Sequence, residues 1–225
     1  MKKIWLPAFI LVSLINLAGV AMGNKNLILF TKPLLMPLLA MWLAMETHHK
    51  PPRFLKRMVF AGLGFATAGD VLLLNGEQPL FFILGLVAFL FTHLSYTGGF
   101  SSVSNLDNGF LRRNPSLALP FVFFSLGLVW WLWAGIPAAM QLPVGIYAAV
   151  ITVMALSVVN LKGNVTVTIY RTLMAGAVLF MLSDSLIAAS RFGGVFPSPG
   201  FLIMATYIAG QFLIVKGVRD ILMSE

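Results

Sequence analysis

Eight long apolar segments account for most of this chain. They cover approximately residues 4–22, 27–45, 58–75, 80–99, 117–134, 139–160, 172–190 and 201–218. Each is close to the roughly 20 residues that an α-helix needs to cross the hydrocarbon core of a bilayer. Only 10% of the residues are charged, against about 25% in soluble domains. The sequence therefore predicts an all-α integral membrane protein, with eight transmembrane helices in a single membrane domain over residues 1–225.

The first segment follows Met1-Lys2-Lys3, which is also how a signal peptide can begin. It is long enough to span a bilayer, it contains Asn16, and every later segment is also a predicted span. We therefore expect it to be retained as the first helix.

Basic residues are distributed unevenly between the predicted loops. With the N-terminus inside, inside segments hold twelve of the fifteen Lys and Arg residues, outside segments hold Lys25 and Arg191, and Lys32 lies within a span. Because Lys and Arg accumulate on the cytoplasmic side, both termini are predicted to be cytoplasmic. The net charge of +8 sits in short loops, which favours contact with lipid headgroups over nucleic-acid binding. The chain has no cysteine, which excludes disulfides and a cysteine nucleophile.

Two of the apolar segments carry a carboxylate at matched positions. Asp70 in the third segment and Asp184 in the seventh are 114 residues apart, and the same offset superimposes further identities: Arg57 on Arg171, Ala61 on Ala175, Gly62 on Gly176 and Leu72 on Leu186. The pairing joins segments of the same orientation, as two parallel four-helix repeats would (residues 1–113 and 114–225). Chance similarity among apolar helices is the alternative. An ionisable residue inside a membrane is costly, so both carboxylates are candidate functional residues.

The positions of Asp70, Asp184 and Lys32 along their helices place them at one depth. Each Asp follows an inside-boundary arginine by 13 residues, and Lys32 precedes Glu46 by 14. At 1.5 Å per residue, all three lie about 20 Å above the inner interface. A cation favours the ionised form of the carboxylate that it contacts, whereas a second carboxylate nearby tends to keep its proton. One ionised and one protonated carboxyl group is the arrangement that acid/base catalysis uses.

Polar residues on the fourth and eighth segments form a second set of candidates. His93 and Tyr96 share one helix face, and a gap of four residues aligns Phe89 and His93 with Tyr207 and Gln211. His93 lies only about 9 Å above the predicted inner end of its helix, below the layer of the two Asp residues. Either the fourth helix extends further inward, or His93 lines a separate entry region.

Several of these motifs together resemble those of the YhhN-like lysoplasmalogenase family. They are Lys32-Pro33 in the second segment, Gly69-Asp70-x-x-Leu73-Leu74 in the third, His93-x-x-Tyr96 in the fourth and Phe180-x-x-Ser183-Asp184 in the seventh. The number of helices and nearly the whole chain also match. The resemblance implies a membrane hydrolase that cleaves the vinyl ether bond of lysoplasmalogens to a fatty aldehyde and a glycerophospho-alcohol.

The resemblance also implies roles for the candidate residues. Asp70 and Asp184 would be the catalytic acid and base, in an order that the sequence leaves open. The residues that would bind substrate or support catalysis are Lys32, His93, Tyr96, Tyr207 and Gln211. No cofactor or metal is expected. The partners would be a lysophospholipid substrate and the lipids of a bacterial inner membrane, and the oligomeric state is open.

Two other interpretations of the same residues stand beside the enzyme. Lys32 and one Asp can form a purely structural ion pair, with Ser or Thr capping the second carboxyl group. Alternatively, the chain is a lipid or proton-coupled transporter, which parallel repeats and the two prolines of the second helix would suit. Asp→Asn variants separate enzyme from ion pair, because only the enzyme predicts lost turnover in a folded protein.

Overall fold

A computed structural model describes residues 4–51, 53–104, 109–194 and 200–224. Within these ranges the chain folds into nine α-helices and three short 3-10 segments. The helices are α1 (Trp5–Ala21), α2 (Lys25–Glu46), α3 (Phe54–Leu72), α4 (Pro79–Ser101), α5 (Phe110–Arg113), α6 (Leu119–Leu132), α7 (Ala138–Val159), α8 (Val167–Phe192) and α9 (Gly200–Ser224). The prediction of an all-helical protein is therefore confirmed. The short α5 lies between the fourth and fifth predicted apolar segments.

Seven helical segments in the described part of the chain are long and apolar enough to cross a membrane. They correspond to the second to eighth predicted spans, whereas α1 is apolar but has only 17 residues. Large apolar side chains are exposed along these helices, among them Phe123 and Trp130 on α6. Such a surface suits contact with lipid and identifies an integral membrane protein. Eight spans and cytoplasmic termini remain predictions, and Lys2 and Lys3, which contribute to the predicted orientation, lie outside the described residues.

The helices form two compact units. Unit 1 comprises residues 1–99 and 215–225, and unit 2 comprises residues 100–214. Unit 1 therefore contains α1 to α3 and most of α4, and unit 2 contains α5 to α8 and the first part of α9. The division of the chain into two four-helix halves, residues 1–113 and 114–225, remains a prediction.

In unit 1, α1 and α2 form a hairpin that positions the middle of α2. The Asn24 side chain caps α2 by accepting hydrogen bonds from the backbone nitrogens of Asn26 and Leu27. Deeper in the hairpin, the buried Asn16 Nδ2 donates to Thr31 Oγ1 at 2.8 Å. Helix α2 continues through Pro33 without a break. The polar contact from α1 thus fixes the turn of α2 that carries Lys32.

Helices α3 and α4 approach closely at a glycine. A Cβ atom on Gly62 would overlap the ring of Tyr96, which is fully buried. On the same face, Thr92 Oγ1 donates to the carbonyl oxygen of Gly62 at 3.2 Å. Small residues let membrane helices come close enough for such packing and hydrogen bonding. The close approach holds α4 against the helix that carries Asp70.

This contact predicts different effects on stability for two glycine substitutions in α3. Gly62→Ala is expected to lower the free energy of unfolding by about 1–3 kcal/mol, because the new methyl group meets the Tyr96 ring. Gly64→Ala is the matched control, since no atom lies within 4 Å of a Cβ at this position; it should be neutral or slightly stabilising. Thermal unfolding of the detergent-solubilised variants measures both, and equal stability of the two would contradict the close contact.

An ion pair within unit 1 connects the end of α2 to the end of α9. Arg219 on α9 lies 3.7 Å from the Glu46 carboxylate, bonds Asp220, and stacks 5.3 Å from the Trp42 ring. An Arg side chain that pairs with carboxylates and stacks on a Trp ring is typical of the membrane–water interface, where Trp is enriched. They fix the end of α2 that lies 14 residues from Lys32.

Unit 2 is organised around α7, which packs against both α6 and α8. Ser125 Oγ on α6 and Thr152 Oγ1 on α7 are hydrogen-bonded at 2.6 Å. Around the start of α7, an apolar cluster is formed by Leu132, Ile136 and Val144. At the end of α7, Asn160 Oδ1 accepts a hydrogen bond from the backbone nitrogen of Leu111, which ties α5 to this end of the helix. These contacts position the central part of α7 beside α8.

Helices α8 and α9 also meet at a glycine. A Cβ on Gly176 would lie 2.8 Å from the backbone nitrogen of Ile214 and 3.0 Å from the carbonyl oxygen of Gly210. Further along, Ser183 Oγ donates to the carbonyl oxygen of Ile203 at 3.0 Å. As in unit 1, a small residue brings the next helix against the one that carries the carboxylate.

Candidate functional site

Asp70 is buried in unit 1 and forms an ion pair with Lys32. Lys32 Nζ lies 3.8 Å from Asp70 Oδ1, and the two side chains are 13% and 2% exposed. Asp70 sits in the last turn of α3, whereas Lys32 lies in the middle of α2. The nearby ammonium compensates a negative charge that would otherwise be costly to bury. The expected contact between Lys32 and one of the two carboxylates is therefore present, and the carboxylate is Asp70.

Asp184 is buried in unit 2 and has a different kind of partner. The Tyr147 hydroxyl on α7 donates to Asp184 Oδ2 on α8 at 2.5 Å. A phenol hydroxyl can donate to a carboxylate or to the carbonyl oxygen of a neutral carboxylic acid. It supplies a hydrogen bond without supplying a positive charge. The two Asp residues thus lie in chemically distinct surroundings within their own units.

Asp184 and Tyr147 line a small cavity between α6, α7 and α8. Its volume is about 40 Å³. Most of its wall is apolar, with side chains that include Leu128, Leu132, Val144, Ile151 and Met181. Besides Asp184 and Tyr147, the lining includes two serines, Ser125 and Ser185. A mostly apolar cavity with a few polar groups can hold part of an aliphatic chain.

Tyr147 was not among the residues that the sequence singled out, although its position carries a signal. It precedes Asn160, at the end of α7, by 13 residues. Asp70 and Asp184 follow their boundary arginines by the same number. Applying the depth estimate to hydroxyl groups as well as to charges would have placed Tyr147 at the level of Asp184.

The remaining candidates are all buried side chains of α4 and α9. His93 and Tyr96 lie on α4 in unit 1 and are fully buried. In unit 2, Tyr207 packs edge-on against Phe180 with ring centroids 5.7 Å apart, and Gln211 is fully buried. Helix α4 extends to Ser101, two residues beyond the predicted end at 99, so His93 lies further from the helix end than expected. That these four residues contact the substrate remains a prediction. The common depth of Asp70 and Asp184 in the membrane also remains a prediction.

The chemistry open to these groups is proton transfer. A carboxylate paired with an ammonium can accept a proton or stabilise a cation, and a carboxyl group that accepts from a phenol can donate one. In the described part of the chain, no group of three or more His, Cys, Asp or Glu side chains has the geometry to hold a metal ion.

Comparison with known proteins agrees with the motifs. The model of the YhhN family matches residues 27–218. Lysoplasmalogenase TMEM86A of Bos taurus is 32% identical over 160 residues, which cover 69% of this chain and 62% of that protein. The protein of the same name from Homo sapiens is 30% identical over the same shares. The chain thus spans less than two thirds of the length of these relatives, and no solved structure matches it.

The family match includes all four motifs on which the resemblance rested. It begins before Lys32 and ends after Gln211, so it contains both buried carboxylates. On this match, the chain belongs to the YhhN family.

Proposed function

We propose that this protein is a membrane-embedded hydrolase that cleaves the vinyl ether bond of lysoplasmalogens. The observation that carries the proposal is the pair of membrane-buried carboxyl groups, Asp70 and Asp184, each with its own polar partner. The relatives named lysoplasmalogenase provide the substrate class. We also propose eight spans with both termini cytoplasmic, on the strength of the distribution of Lys and Arg.

Vinyl ether hydrolysis needs the two functions that such carboxyl groups provide. An acid donates a proton to the carbon β to the ether oxygen, and the double-bond electrons form the new C–H bond. The resulting oxocarbenium ion is captured by water, whose proton passes to a carboxylate. The hemiacetal then collapses: its hydroxyl gives up a proton to a carboxylate as the C=O bond forms, the bond to the glycerol oxygen breaks, that oxygen takes up a proton, and a fatty aldehyde is released. Glycosidases divide the work between two carboxyl groups in a comparable way.

The remaining candidates would bind or orient the substrate. A lysolipid has a single chain, which can enter laterally between helices while its headgroup stays near an interface. We propose that His93 and Tyr96 on α4, and Tyr207 and Gln211 on α9, contact the substrate, since all four are buried polar or aromatic side chains. Lys32 compensates the charge of Asp70.

The test is aldehyde release by the purified, detergent-solubilised protein from three matched lysophospholipids. Their chains are joined to glycerol by a vinyl ether, an alkyl ether or an ester. The proposal predicts fatty aldehyde from the vinyl ether only, because only that bond yields an oxocarbenium ion on protonation. Fatty acid release from the ester would indicate a lysophospholipase instead. Movement of an unchanged lipid or of protons in proteoliposomes, without aldehyde, would indicate the transporter.

A further inference from the structure

The hydroxyl groups that line the cavity between α6, α7 and α8 donate their protons to the protein itself. Three lining residues carry a hydroxyl: Ser125, Tyr147 and Ser185. Ser185 Oγ donates to the carbonyl oxygen of Met181 at 2.7 Å, and the Tyr147 hydroxyl donates to Asp184. A serine or tyrosine hydroxyl has a single proton, so the protons of these two residues are already used.

The proton of Ser125 is used in a bond to α7. Thr152 Oγ1 donates to the carbonyl oxygen of Ala148, one turn earlier in α7, at 2.6 Å. Because Thr152 has one hydroxyl proton, Ser125 Oγ is the donor in the 2.6 Å bond between Ser125 and Thr152. Both side chains are buried. All three hydroxyl groups of the lining therefore offer only acceptor lone pairs to a molecule in the cavity.

The lack of available donors disfavours a phosphate headgroup in this cavity. A bound phosphate is held by N–H and O–H donors or by cationic side chains. The lining residues, all of which belong to the described part of the chain, include no Lys, Arg or His. Apart from Asp184 and the three hydroxyl residues, they are Leu, Val, Ile, Met and Ala. A hydrocarbon chain needs no donor, so it is the part of a lysolipid that the cavity suits.

Helix α6 separates the cavity from the apolar outer surface of the protein. Leu128 and Leu132 line the cavity, whereas Phe123, Leu126 and Trp130 on the same helix are exposed. A chain that lies in lipid is therefore one helix away from the cavity. The volume is about 40 Å³, and about 10–15 Å³ holds one water-sized group. The cavity thus has room for a few methylene groups rather than for a whole chain.

We propose that this cavity is the subsite for the chain carbons next to the bond to be cleaved, and that the small side chain of Ala148 keeps it open. The inference rests on the proposed function and adds to it which part of the lysolipid lies beside Asp184. Ala148 lines the cavity from α7. Its neighbour Ala149 is exposed and does not line the cavity. The headgroup of the substrate lies outside the cavity.

Photolabelling with an analogue that is not cleaved tests the subsite without turnover. The probe is an alkyl ether lysophosphatidylethanolamine with a diazirine on its chain, close to the ether oxygen, added to the purified full-length protein in detergent. The label is expected within residues 125–132, 144–151 and 181–188, which contain the cavity lining. Excess unlabelled analogue should prevent it. A diazirine on the headgroup should not label these segments.

Two labelling results would overturn the subsite. One is a chain label that is prevented by the unlabelled analogue but lies entirely outside these three segments. The other is a headgroup probe that labels them as strongly as the chain probe does.

Ala148→Leu tests whether the space beside this residue is used. The larger side chain fills part of the cavity, so the affinity for the alkyl ether analogue should fall about fourfold for each methylene group that is excluded. Ala149→Leu is the matched control, because it adds the same side chain to the exposed face of α7; its affinity should stay within about twofold of wild type. Equal affinities of the two variants would overturn the role of Ala148. Thermal unfolding checks that both are folded, and Ala148→Val carries the same prediction with a smaller loss.

These measurements separate the inference from the proposed function, because the analogue is bound but not cleaved. Specific labelling of the cavity in a protein that releases no aldehyde from the vinyl ether would keep the chain subsite and refute the hydrolase. Aldehyde release by a protein whose specific label lies only outside the cavity would refute the subsite and leave the hydrolase in place.

Discussion

Replacing either Asp70 or Asp184 by Asn is expected to lower aldehyde release by about 10²- to 10⁴-fold, in a protein that remains folded. Asn keeps the size of the Asp side chain but neither donates a carboxylic acid proton nor carries a negative charge at neutral pH. At position 184 its amide oxygen can still accept from Tyr147, so the contact between α7 and α8 survives. Initial rates of aldehyde formation, measured beside thermal unfolding, check both parts of the prediction.

Asp220→Asn is the matched control for this pair. Asp220 lies near the end of α9, bonded to Lys216 and Arg219, and is partly exposed. Removing its charge should leave the rate of aldehyde release within about twofold of wild type, since exposed ion pairs contribute little. If both Asn variants lost their fold together with their activity, the carboxylates would be parts of a structural ion-pair system rather than catalytic groups.

Lys32→Met is expected to cause a large loss of stability in unit 1. Methionine fills much of the space of lysine but leaves the buried Asp70 without its cation. Breaking a buried ion pair by removing one partner costs about 3–5 kcal/mol, which corresponds to a fall in Tm on the order of 10 °C. Thermal unfolding in detergent measures the shift.

The double variant Lys32→Met with Asp70→Asn isolates the charge from the packing. With a neutral residue at position 70, the loss of the ammonium no longer leaves a buried charge. The double variant should therefore be more stable than Lys32→Met alone. Lys25→Met, at the exposed first residue of the same helix, controls for the general effect of removing a lysine. A double variant that is less stable than Lys32→Met would contradict the ion pair.

Much of the architecture follows from the sequence because lipid imposes a simple rule. A backbone in hydrocarbon must satisfy its own hydrogen bonds, so each long apolar segment becomes a helix. This is why α2 is helical despite Pro33 and Pro37, and why α7 is helical despite Pro143. The helix ends were harder to predict. For example, α8 begins at Val167 rather than near 172, because Thr166 caps it by accepting from the backbone nitrogen of Ile169.

The candidate site was predictable where charge alone identifies a residue. Asp70, Asp184 and Lys32 stand out because charges are rare in apolar helices. Tyr147 does not stand out, since a tyrosine in a membrane helix is ordinarily a packing or interface residue. Its contact with Asp184 depends on the rotation of α7 relative to α8, which directs the hydroxyl at the carboxyl group, and side-chain packing rather than composition sets this rotation. The cavity likewise depends on how α6, α7 and α8 pack.

The most direct test of hydrolysis by carbon protonation is aldehyde release from a vinyl ether lysophospholipid in D₂O. The proposed reaction delivers one solvent-derived proton to the β-carbon, which becomes the carbon next to the aldehyde carbonyl. Mass spectrometry of the fatty aldehyde should therefore find a single deuterium at that carbon. Authentic aldehyde incubated with the Asp184→Asn variant in D₂O controls for later exchange. Aldehyde without that deuterium, or no aldehyde from the folded wild-type protein, would contradict the proposed reaction.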